Sequence, residues 1–277
     1  MPGVPTYEPL GRYCGRMSPS EPGYIRIADP DAPIFRIFKL RRFWQLLTDH
    51  RLYLAPPESW DDPFENLLTM CAITHRSGAP QQFFDRIRRP LFGQSWSGTP
   101  ESDSLWRAYS IVKNDRRRAR NEYPDDEGVQ VRTTPRKLLA ALRAWCPNEP
   151  DEHCFVGAVR YLPQRDVERY IADEIGRHRL GAFAGGRGHA ESVLFKRTAF
   201  AHEDEVRLVY VARDEDAAHD GVLVPIDPAG AFDEVRFDPR LALFEKIERE
   251  DECRRLGFDS VGRSDLYQEV LFEVGVD

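Results

Sequence analysis

Hydrophobic residues near the start of the chain change from alternating to helical spacing and back again. Residues 34–38 alternate well enough between apolar and polar side chains to predict a strand. Residues 41–49 carry their apolar side chains at helical spacing and predict a short amphipathic helix. An apolar run from Leu52 predicts a second strand, which Pro56 and Pro57 end because proline fixes φ and lacks a backbone donor. The opening unit is therefore strand, helix, strand.

The rest of the chain mixes predicted helices and strands, with no internal repeat and no convincing linker. The predicted helices are 81–91, a helix capped by Ser104, a helix that begins at Thr134-Pro135, 167–175 and 241–256. The predicted strands are 92–96, 129–131, 155–161, 206–211, 222–226 and 235–237. The predicted connections include a solvated loop at 114–127, a flexible loop at 181–188 and an acidic hairpin at 214–220. These elements predict an α+β fold in which a mixed, mainly antiparallel sheet packs with flanking helices.

The elements also predict the domain organisation. Residues 1–33 are rich in Pro, Gly and Ser and lack periodicity, so we expect an N-terminal arm that lies over the domain or is partly disordered. Residues 34–277 are predicted to form a single α+β domain.

Composition narrows the class of protein. With 277 residues, the chain is long enough to bury a sizeable core. Its net charge of -7 argues against generic nucleic-acid binding, although a local basic site is compatible with it. The five cysteines are widely spaced and form no Cys-x-x-Cys pair, which is typical of free thiols in a reducing cytoplasm. No stretch approaches the ~20 apolar residues of a membrane span, so we expect a cytoplasmic protein that does not contact membranes.

An acidic turn follows the second predicted strand. It places Asp61, Asp62 and Glu65 around Trp60 and Phe64. One interpretation is functional, because a surface loop seldom holds two aromatic rings within a cluster of carboxylates. The other is structural, with a capped turn whose rings fill the core. We predict that Asp62 and Glu65 are largely structural and accept hydrogen bonds from the backbone or from arginine.

A second acidic cluster lies where a late strand begins. Residues two apart share one face of a strand, so Glu203, Glu205 and Arg207 are predicted to lie on the same side. Two neighbouring carboxylates raise each other's proton affinity, and an arginine can offset this by pairing. The structural alternative is a charge ladder on an exposed edge, which contributes well under ~1 kcal/mol per pair.

Two further groups could bind a ligand. Arg36 lies within the first predicted strand, and an arginine fork can hold a phosphate bidentately. The hydroxyls of Ser95 and Ser97 share one face if their strand continues that far. Lys39 and Arg42 are predicted to lie on a solvated helix face.

Several known site types lack a signature in the sequence. The seven histidines include no pair spaced for a zinc hydrolase. Residues 185–188 match neither a Walker loop nor a Rossmann fingerprint. We therefore expect no metal site.

The acidic turn also carries a family resemblance. Residues 60–65, Trp-Asp-Asp-Pro-Phe-Glu, resemble the Phe-Asn-Asp-Pro-Phe-Glu motif of the bacterial family catalogued as domain of unknown function twenty-nine seventy-one. Trp60 and Asp61 depart from the usual Phe-Asn, so a role that needs the asparagine amide does not transfer. Further matching segments occur in the same order, namely Ser95-Trp96-Ser97, Leu105-Trp106 with Tyr109, Phe195-Lys196, and 202–207. The resemblance spans about 35–211.

More distantly, the order of Arg36, Ser95 or Ser97, and Glu203 or Glu205 resembles the Arg, Ser and Glu of the ADP-ribosyltransferase superfamily. The resemblance implies that the arginine holds an NAD phosphate or ribose and that a serine supports the nicotinamide ribose. It further implies that a glutamate, Glu205 or Glu203, orients the ribose 2′-hydroxyl and is catalytic. The predicted NAD contacts are Arg36, Ser95, Ser97, Tyr109 and Arg207.

We therefore expect an ADP-ribosyltransferase-like enzyme that uses NAD to modify a macromolecule, protein or nucleic acid, as a toxin or phage-defence effector. Its expected partners are that acceptor and a cognate antitoxin or defence partner. The alternative is a non-catalytic sensor or binding module of a bacterial defence or stress system. A third hypothesis, a metal-dependent nuclease, would use Asp61, Asp62, Glu65 and Glu203.

Overall fold

The computed structural model describes most of the chain. The described residues are 21–60, 62, 65, 89–113, 120–169, 185–213 and 220–267. Residues 81–88 of the predicted helix 81–91, residues 214–219 of the acidic hairpin 214–220 and the turn residue Asp61 lie outside them. The predicted end of that helix at Leu91 is wrong, because Leu91 begins a strand.

Strands and short helices alternate along the described chain. The strands are β1 (Tyr24–Ile25), β2 (Ile34–Lys39), β3 (Arg51–Leu54), β4 (Leu91–Ser97), β5 (Gly128–Thr133), β6 (Cys154–Ala158), β7 (Arg160–Leu162), β8 (Phe195–Arg197), β9 (Glu205–Val211), β10 (Val222–Pro225), β11 (Glu234–Phe237) and β12 (Val261–Arg263). The α-helices are α1 (Leu40–Asp49), α2 (Asp103–Tyr109), α3 (Pro135–Trp145), α4 (Pro150–His153), α5 (Gly186–Ser192), α6 (Pro228–Ala231) and α7 (Leu243–Arg255). Two 3₁₀ helices span Pro57–Ser59 and Thr198–Glu203.

The main sheet has eight strands in the order β1-β6-β9-β4-β2-β5-β11-β12. Its inner pairs are antiparallel, whereas the outer pairs β1–β6 and β11–β12 are parallel. Two smaller sheets pair β10 with β3 and β7 with β8. The predicted fold class, an α+β fold with a mixed and mainly antiparallel sheet, is confirmed.

The alternation that predicted the strands also determines which face is buried. Apolar side chains from one face of β5 and β9, among them Val131 and Leu208, lie in the largest core cluster. Helices α1 and α3 contribute their own apolar faces to it through residues such as Phe43 and Leu142. A smaller cluster on the opposite face includes Val209, together with side chains of β6 and α5. The even-numbered side chains of β9 therefore lie on one face of the sheet and the odd-numbered ones on the other.

A local separation of two strands shapes the site. Strands β2 and β4 pair at a single register position, Phe35 with Ser97. Strand β4 pairs with β9 over seven positions, and Ser97 lies opposite Glu205 there. Because β4 is held by β9 and β2 by β5, the two halves of the sheet diverge away from Phe35. That divergence opens a cleft beside the first residue of β9.

Several predictions from the sequence differ from the structure. Strand β1 lies within the segment predicted as an arm and pairs with β6, although the division of the chain into arm and domain stays a prediction. Ser102, rather than Ser104, caps α2 by accepting a hydrogen bond from the backbone N–H of Leu105. Strand β10 pairs with β3 and not with β9, so the predicted pairing of 206–211 with 222–226 is wrong.

Two predicted loops are also more ordered than expected. Glu127, predicted in a solvated loop, is fully buried and pairs with Arg249 at 2.9 Å. Residues 186–192 form α5, where a flexible loop was predicted as far as 188. Among the described residues, no helix is long and apolar enough to cross a membrane.

Candidate functional site

The structure brings most of the predicted site residues into one cleft. Two connected lobes of this cleft share five residues, namely Arg36, Ser95, Tyr109, Glu203 and Glu205. Ser97 lines the smaller lobe. The larger lobe, of about 490 Å³, lies within the size range of ligand pockets. The residues therefore converge as the resemblance requires, and their chemical roles stay a prediction.

Glu205 occupies the centre of a buried ion-pair cluster. Its side chain is 7% exposed, and both carboxylate oxygens have cationic partners. Oε1 accepts a hydrogen bond from Lys196 Nζ at 2.8 Å, and Oε2 accepts one from Arg207 Nε at 2.6 Å. Arg207 reaches Glu205 because residues two apart in a strand share a face. The alternative of an exposed charge ladder is therefore wrong.

Arg207 does not line the cleft as a cofactor-binding residue would. It is fully buried, contacts Glu65 at 3.2 Å, and donates a hydrogen bond to the carbonyl of Val193 at 2.6 Å. The predicted contact between Arg207 and NAD stays a prediction. The contacts that the structure shows for Arg207 hold the carboxylate of Glu205.

Lys196 connects three carboxylates from two separate segments of the chain. Its ammonium group lies 2.8 Å from Glu65, 2.5 Å from Glu203 and 2.8 Å from Glu205. With Arg207, two buried cations therefore meet three carboxylates. This leaves one negative charge in excess when all three carboxylates are ionised.

Because of this excess charge, the two glutamates of the cleft have different pKa values. Burial raises the pKa of Glu203 to about 7, a hydrogen bond with Glu205 adds to the increase, and Lys196 opposes it. Burial would also raise the pKa of Glu205. However, Arg207, the hydrogen bond with Glu203 and Lys196 together hold that pKa below its ordinary value. Glu205 is therefore ionised at neutral pH, whereas Glu203 titrates near neutrality.

The carboxylates of the cleft also shift the pKa values of Lys196 and Tyr109. Burial would lower the pKa of Lys196, but Glu205, Glu203 and Glu65 hold it above its ordinary value. Burial raises the pKa of Tyr109, and Glu203 adds to this effect. Lys196 is therefore a fixed positive charge at neutral pH.

The two predicted serines have different surroundings. Ser97 donates a hydrogen bond to the carbonyl of Glu203 at 2.6 Å and accepts one from the N–H of Thr99 at 3.0 Å. It therefore holds the 3₁₀ helix that carries Glu203 against β4. Ser95 lines both lobes, and its carbonyl accepts a hydrogen bond from Arg36. Ser95 is thus the serine that lines both lobes.

Arg36 spans the opening between β2 and β4. Its guanidinium lies 5.1 Å from the centre of the Phe38 ring and donates to the carbonyl of Ser95. Its Nε is buried and has no hydrogen-bond partner among the described residues. Lys39 and Arg42 were predicted to be solvated, and Lys39 pairs with Asp126 at the surface.

Asp62 and Glu65 of the acidic turn line the larger lobe next to the ion-pair cluster. Asp62 is buried and accepts hydrogen bonds from Arg197 at 3.1 and 3.3 Å. Glu65 is buried against Lys196 and Arg207. Asp62 thus accepts arginine hydrogen bonds as predicted, but both carboxylates also line the larger lobe, so their structural role stays a prediction.

Trp60 forms the link between the turn and the sheet. The guanidinium of Arg207 lies 4.6 Å from the centre of its ring, a cation–π contact. A Cβ on Gly93 would lie 3.0 Å from the ring, a tight contact that the Trp60 ring would have to shift to relieve. The larger lobe is further lined by Tyr53 and Phe200, whose rings offer stacking surfaces.

The sequence analysis missed two residues of this site. Lys196 appeared only within the Phe195-Lys196 segment of the family resemblance, which was the available signal. The hydroxyl of Tyr161 accepts a hydrogen bond from the backbone N–H of Glu205 at 2.8 Å and fixes the start of β9. No pattern in the sequence pointed to Tyr161.

The nuclease hypothesis is not tested by these contacts and stays a prediction. Asp62, Glu65 and Glu203 form ion pairs with Arg197, Lys196 and Arg207. Asp61 lies outside the described residues. Within the described part of the chain, no group of three or more His, Cys, Asp or Glu side chains could hold a metal ion.

Comparisons with known proteins give one distant structural similarity. No protein-family model matches the chain, so the resemblance to domain of unknown function twenty-nine seventy-one stays a prediction. No curated protein matches it either. A solved structure of Thermus sp. 2.9 DarT in complex with NAD+ is similar with a TM-score of 0.37 and 10% sequence identity, over 85% of this chain and 96% of that chain. A similarity this distant does not assign the chain to a family or an activity.

Proposed function

We propose that this chain is an ADP-ribosyltransferase-like enzyme that takes NAD as its substrate and transfers ADP-ribose to a macromolecular acceptor. One observation supports the proposal above all others. Arg36, Ser95 and Glu205, which lie far apart in sequence, line one cleft, and two buried cations hold Glu205 in its ionised form.

The proposed reaction exchanges one bond at C1′ of the nicotinamide ribose. The C1′–N1 bond breaks, and its electron pair leaves with nicotinamide, which becomes neutral. A nucleophile of the acceptor then forms a bond to C1′ and loses its proton. Positive charge develops on the ribose between these events. A carboxylate fixed nearby stabilises that charge without reorganisation, a kind of effect commonly worth several kcal/mol.

The proposal gives each residue a part in this reaction, supported by its contacts. Glu205 is the proposed catalytic residue because it is ionised, lines the cleft and is held at both oxygens. Arg36 offers its buried Nε to an anionic or hydroxyl oxygen of the dinucleotide. Ser95 offers a hydroxyl to the nicotinamide ribose. Lys196 and Arg207 act as positioning residues because each binds one carboxylate oxygen of Glu205.

A second candidate is a non-catalytic binding module. The observation that favours it is that Glu205 uses one carboxylate oxygen for Lys196 and the other for Arg207, as in a purely structural ion-pair cluster. In that case the cleft binds a ligand without reaction. Under either proposal the protein acts in the cytoplasm within a toxin, phage-defence or stress system. In the enzyme proposal its acceptor is a protein or a nucleic acid, and in both proposals an antitoxin or defence protein is its partner.

A comparison of Glu205→Gln with Glu65→Gln distinguishes an effect on catalysis from an effect on stability. Each variant removes one negative charge from the same two cations, but Glu65 lines only the larger lobe. Nicotinamide release from NAD, measured with cell lysate as the acceptor source, should fall by ~10²-fold or more in Glu205→Gln. Glu65→Gln should lose comparable stability and much less activity. Equal losses of activity would assign Glu205 a structural role, and no nicotinamide release by the wild type would favour the binding module.

A further inference from the structure

A separate cavity, lined by residues of α1, β3 and β10, adjoins the candidate cleft. Its volume of about 660 Å³ lies within the size range of ligand pockets. Arg36, Tyr53 and Gln94 line both this cavity and the larger lobe of the cleft. A ligand bound in the cavity therefore lies directly beside the larger lobe.

The edge of β3 that faces away from β10 is open beside this cavity. The N–H of Ile226 donates to the carbonyl of His50, so in this antiparallel pair the even-numbered residues of β3 bond to β10. The backbone groups of Arg51 and Tyr53 consequently point the other way. The N–H and carbonyl of Arg51 and the N–H of Tyr53 have no hydrogen-bond partner within the described part of the chain.

Gln94 of β4 extends this open edge. Its side chain is buried, and the residue is 5% exposed. Its Nε2 donates to the carbonyl of Tyr53 at 3.0 Å, so Oε1 is the free end of the amide, and Oε1 has no partner among the described residues. The edge therefore presents the N–H and carbonyl of Arg51, the N–H of Tyr53 and Oε1 of Gln94. Donors and acceptors alternate in this series, as they do along an unpaired strand.

This alternation fits a peptide backbone. An extended peptide offers N–H and carbonyl groups in the same alternation, which is how a strand adds to an open sheet edge. Gln94 Oε1 only accepts hydrogen bonds and needs an N–H or O–H donor. The phosphate groups of a nucleic acid offer acceptor oxygens and no such donor.

The side chains of the cavity define the chemistry of that peptide. Tyr53 and Leu223 lie opposite each other on β3 and β10, and each is about half-exposed. Phe38 and Leu46 add buried apolar walls, so the cavity can hold apolar side chains. The charged residues that line it are Arg36, Arg42, Arg51, Asp49 and Asp220. Three cations against two carboxylates leave one positive charge in excess, which favours an acidic segment.

We propose that the open edge of β3, extended by Gln94, binds an acidic, extended peptide segment with apolar side chains at alternate positions. The segment adds to β3 as a further strand, and one of its N–H groups donates to Gln94 Oε1. Resting on the proposed function, this segment belongs to the acceptor, because Tyr53 and Gln94 also line the larger lobe. The acceptor is then a protein and not a nucleic acid.

Three fluorescein-labelled probes test the proposal in anisotropy titrations with the purified full chain. They are the peptide Glu-Val-Glu-Val-Glu, the same peptide N-methylated at each of its peptide bonds, and a single-stranded hexadeoxynucleotide. N-Methylation keeps the side chains and their charges but removes the backbone donors. We expect the unmodified peptide to bind at least tenfold more tightly than either other probe, as the loss of a buried hydrogen bond requires. No binding of the unmodified peptide, equal binding of the two peptides, or tighter binding of the oligonucleotide would overturn the proposal.

Two substitutions locate the binding edge. Gln94→Met removes the free acceptor, and Arg51→Glu reverses one exposed charge of the cavity. Arg165→Glu is the matched control for the charge, because its side chain is 84% exposed and does not line the cavity. We expect about tenfold weaker peptide binding for Gln94→Met and Arg51→Glu and wild-type binding for the control. Unchanged binding in either of the first two variants would overturn the assignment to this edge. If Gln94→Met fails to fold, Arg51→Glu decides the question.

The failure of this inference is distinguishable from failure of the proposed function. Binding of the unmodified peptide without NAD consumption would retain the docking edge and remove the transferase. NAD consumption without discrimination between the two peptides would retain the transferase and remove the docking edge.

Discussion

Replacing Lys196 with methionine tests whether the buried ion cluster stabilises the fold as its geometry indicates. The side chain is 7% exposed and contacts Glu65, Glu203 and Glu205 within 2.8 Å. Methionine fills much of the same space without the charge. Arg207 would then face three carboxylates alone. Removing one partner from a buried ion pair typically costs ~3–5 kcal/mol, and we expect Lys196→Met to lose stability in this range at pH 8.

The loss should depend on pH in a defined direction. Without Lys196, the carboxylates of the folded protein bind protons more tightly than those of the unfolded chain. A carboxyl group whose folded pKa is raised costs stability above its unfolded value of about 4.5, and the cost is complete above the folded pKa. The deficit of Lys196→Met should therefore be largest at pH 8 and shrink toward pH 4.

Urea unfolding of the wild type and the variant between pH 4 and pH 8 measures this deficit. Lys39→Met is the matched control, because Lys39 forms a surface pair with Asp126 and its side chain is 41% exposed. The control should lose less than ~1 kcal/mol at every pH. A deficit for Lys196→Met as small as that of the control, or one that grows on acidification, would refute the cluster as a stabilising unit.

Three further predictions concern the surroundings of the cluster. Asp62→Ala removes the buried acceptor of Arg197 and should lower stability by ~1–3 kcal/mol in a thermal melt, together with any activity; wild-type melting with lost function would instead place Asp62 in the site. Gly93→Ala introduces a Cβ within 3.0 Å of the Trp60 ring and should cost ~1–3 kcal/mol, with a shift in tryptophan fluorescence; an unchanged spectrum would contradict this packing. Glu203→Gln removes a carboxyl group whose pKa is raised to about 7, so the variant should gain stability relative to the wild type as the pH rises from 4.5 to 7; a relative loss over that range in urea titrations would show that its folded pKa is not raised.

Local patterns predicted the strands and helices that later hold the site. Strand β2 and helix α1 were predicted because each must bury one face, which imposes a period of two or 3.6 on the apolar residues. The same logic predicted that Glu205 and Arg207 share a side. Pairing between strands carries no such local signal. The partnership of β10 with β3 is therefore a property of the assembled fold that local periodicity could not show.

The sequence predicted which residues form the candidate site better than it predicted the contacts between them. Arg36, Ser95 and Glu205 were identified from their order along the chain, and the structure brings them together. Lys196 was missed because an isolated lysine is normally solvated. Its burial depends on three carboxylates from two other segments, which meet only in the folded protein.

The measurement that tests the central claim most directly is nicotinamide release from NAD by the purified wild-type chain, alongside calorimetric titration with NAD. With cell lysate as the source of acceptor, we predict NAD binding and release of nicotinamide as NAD is consumed. The absence of both NAD binding and nicotinamide release would contradict the transferase and leave the cleft of Arg36, Ser95 and Glu205 as part of a binding module.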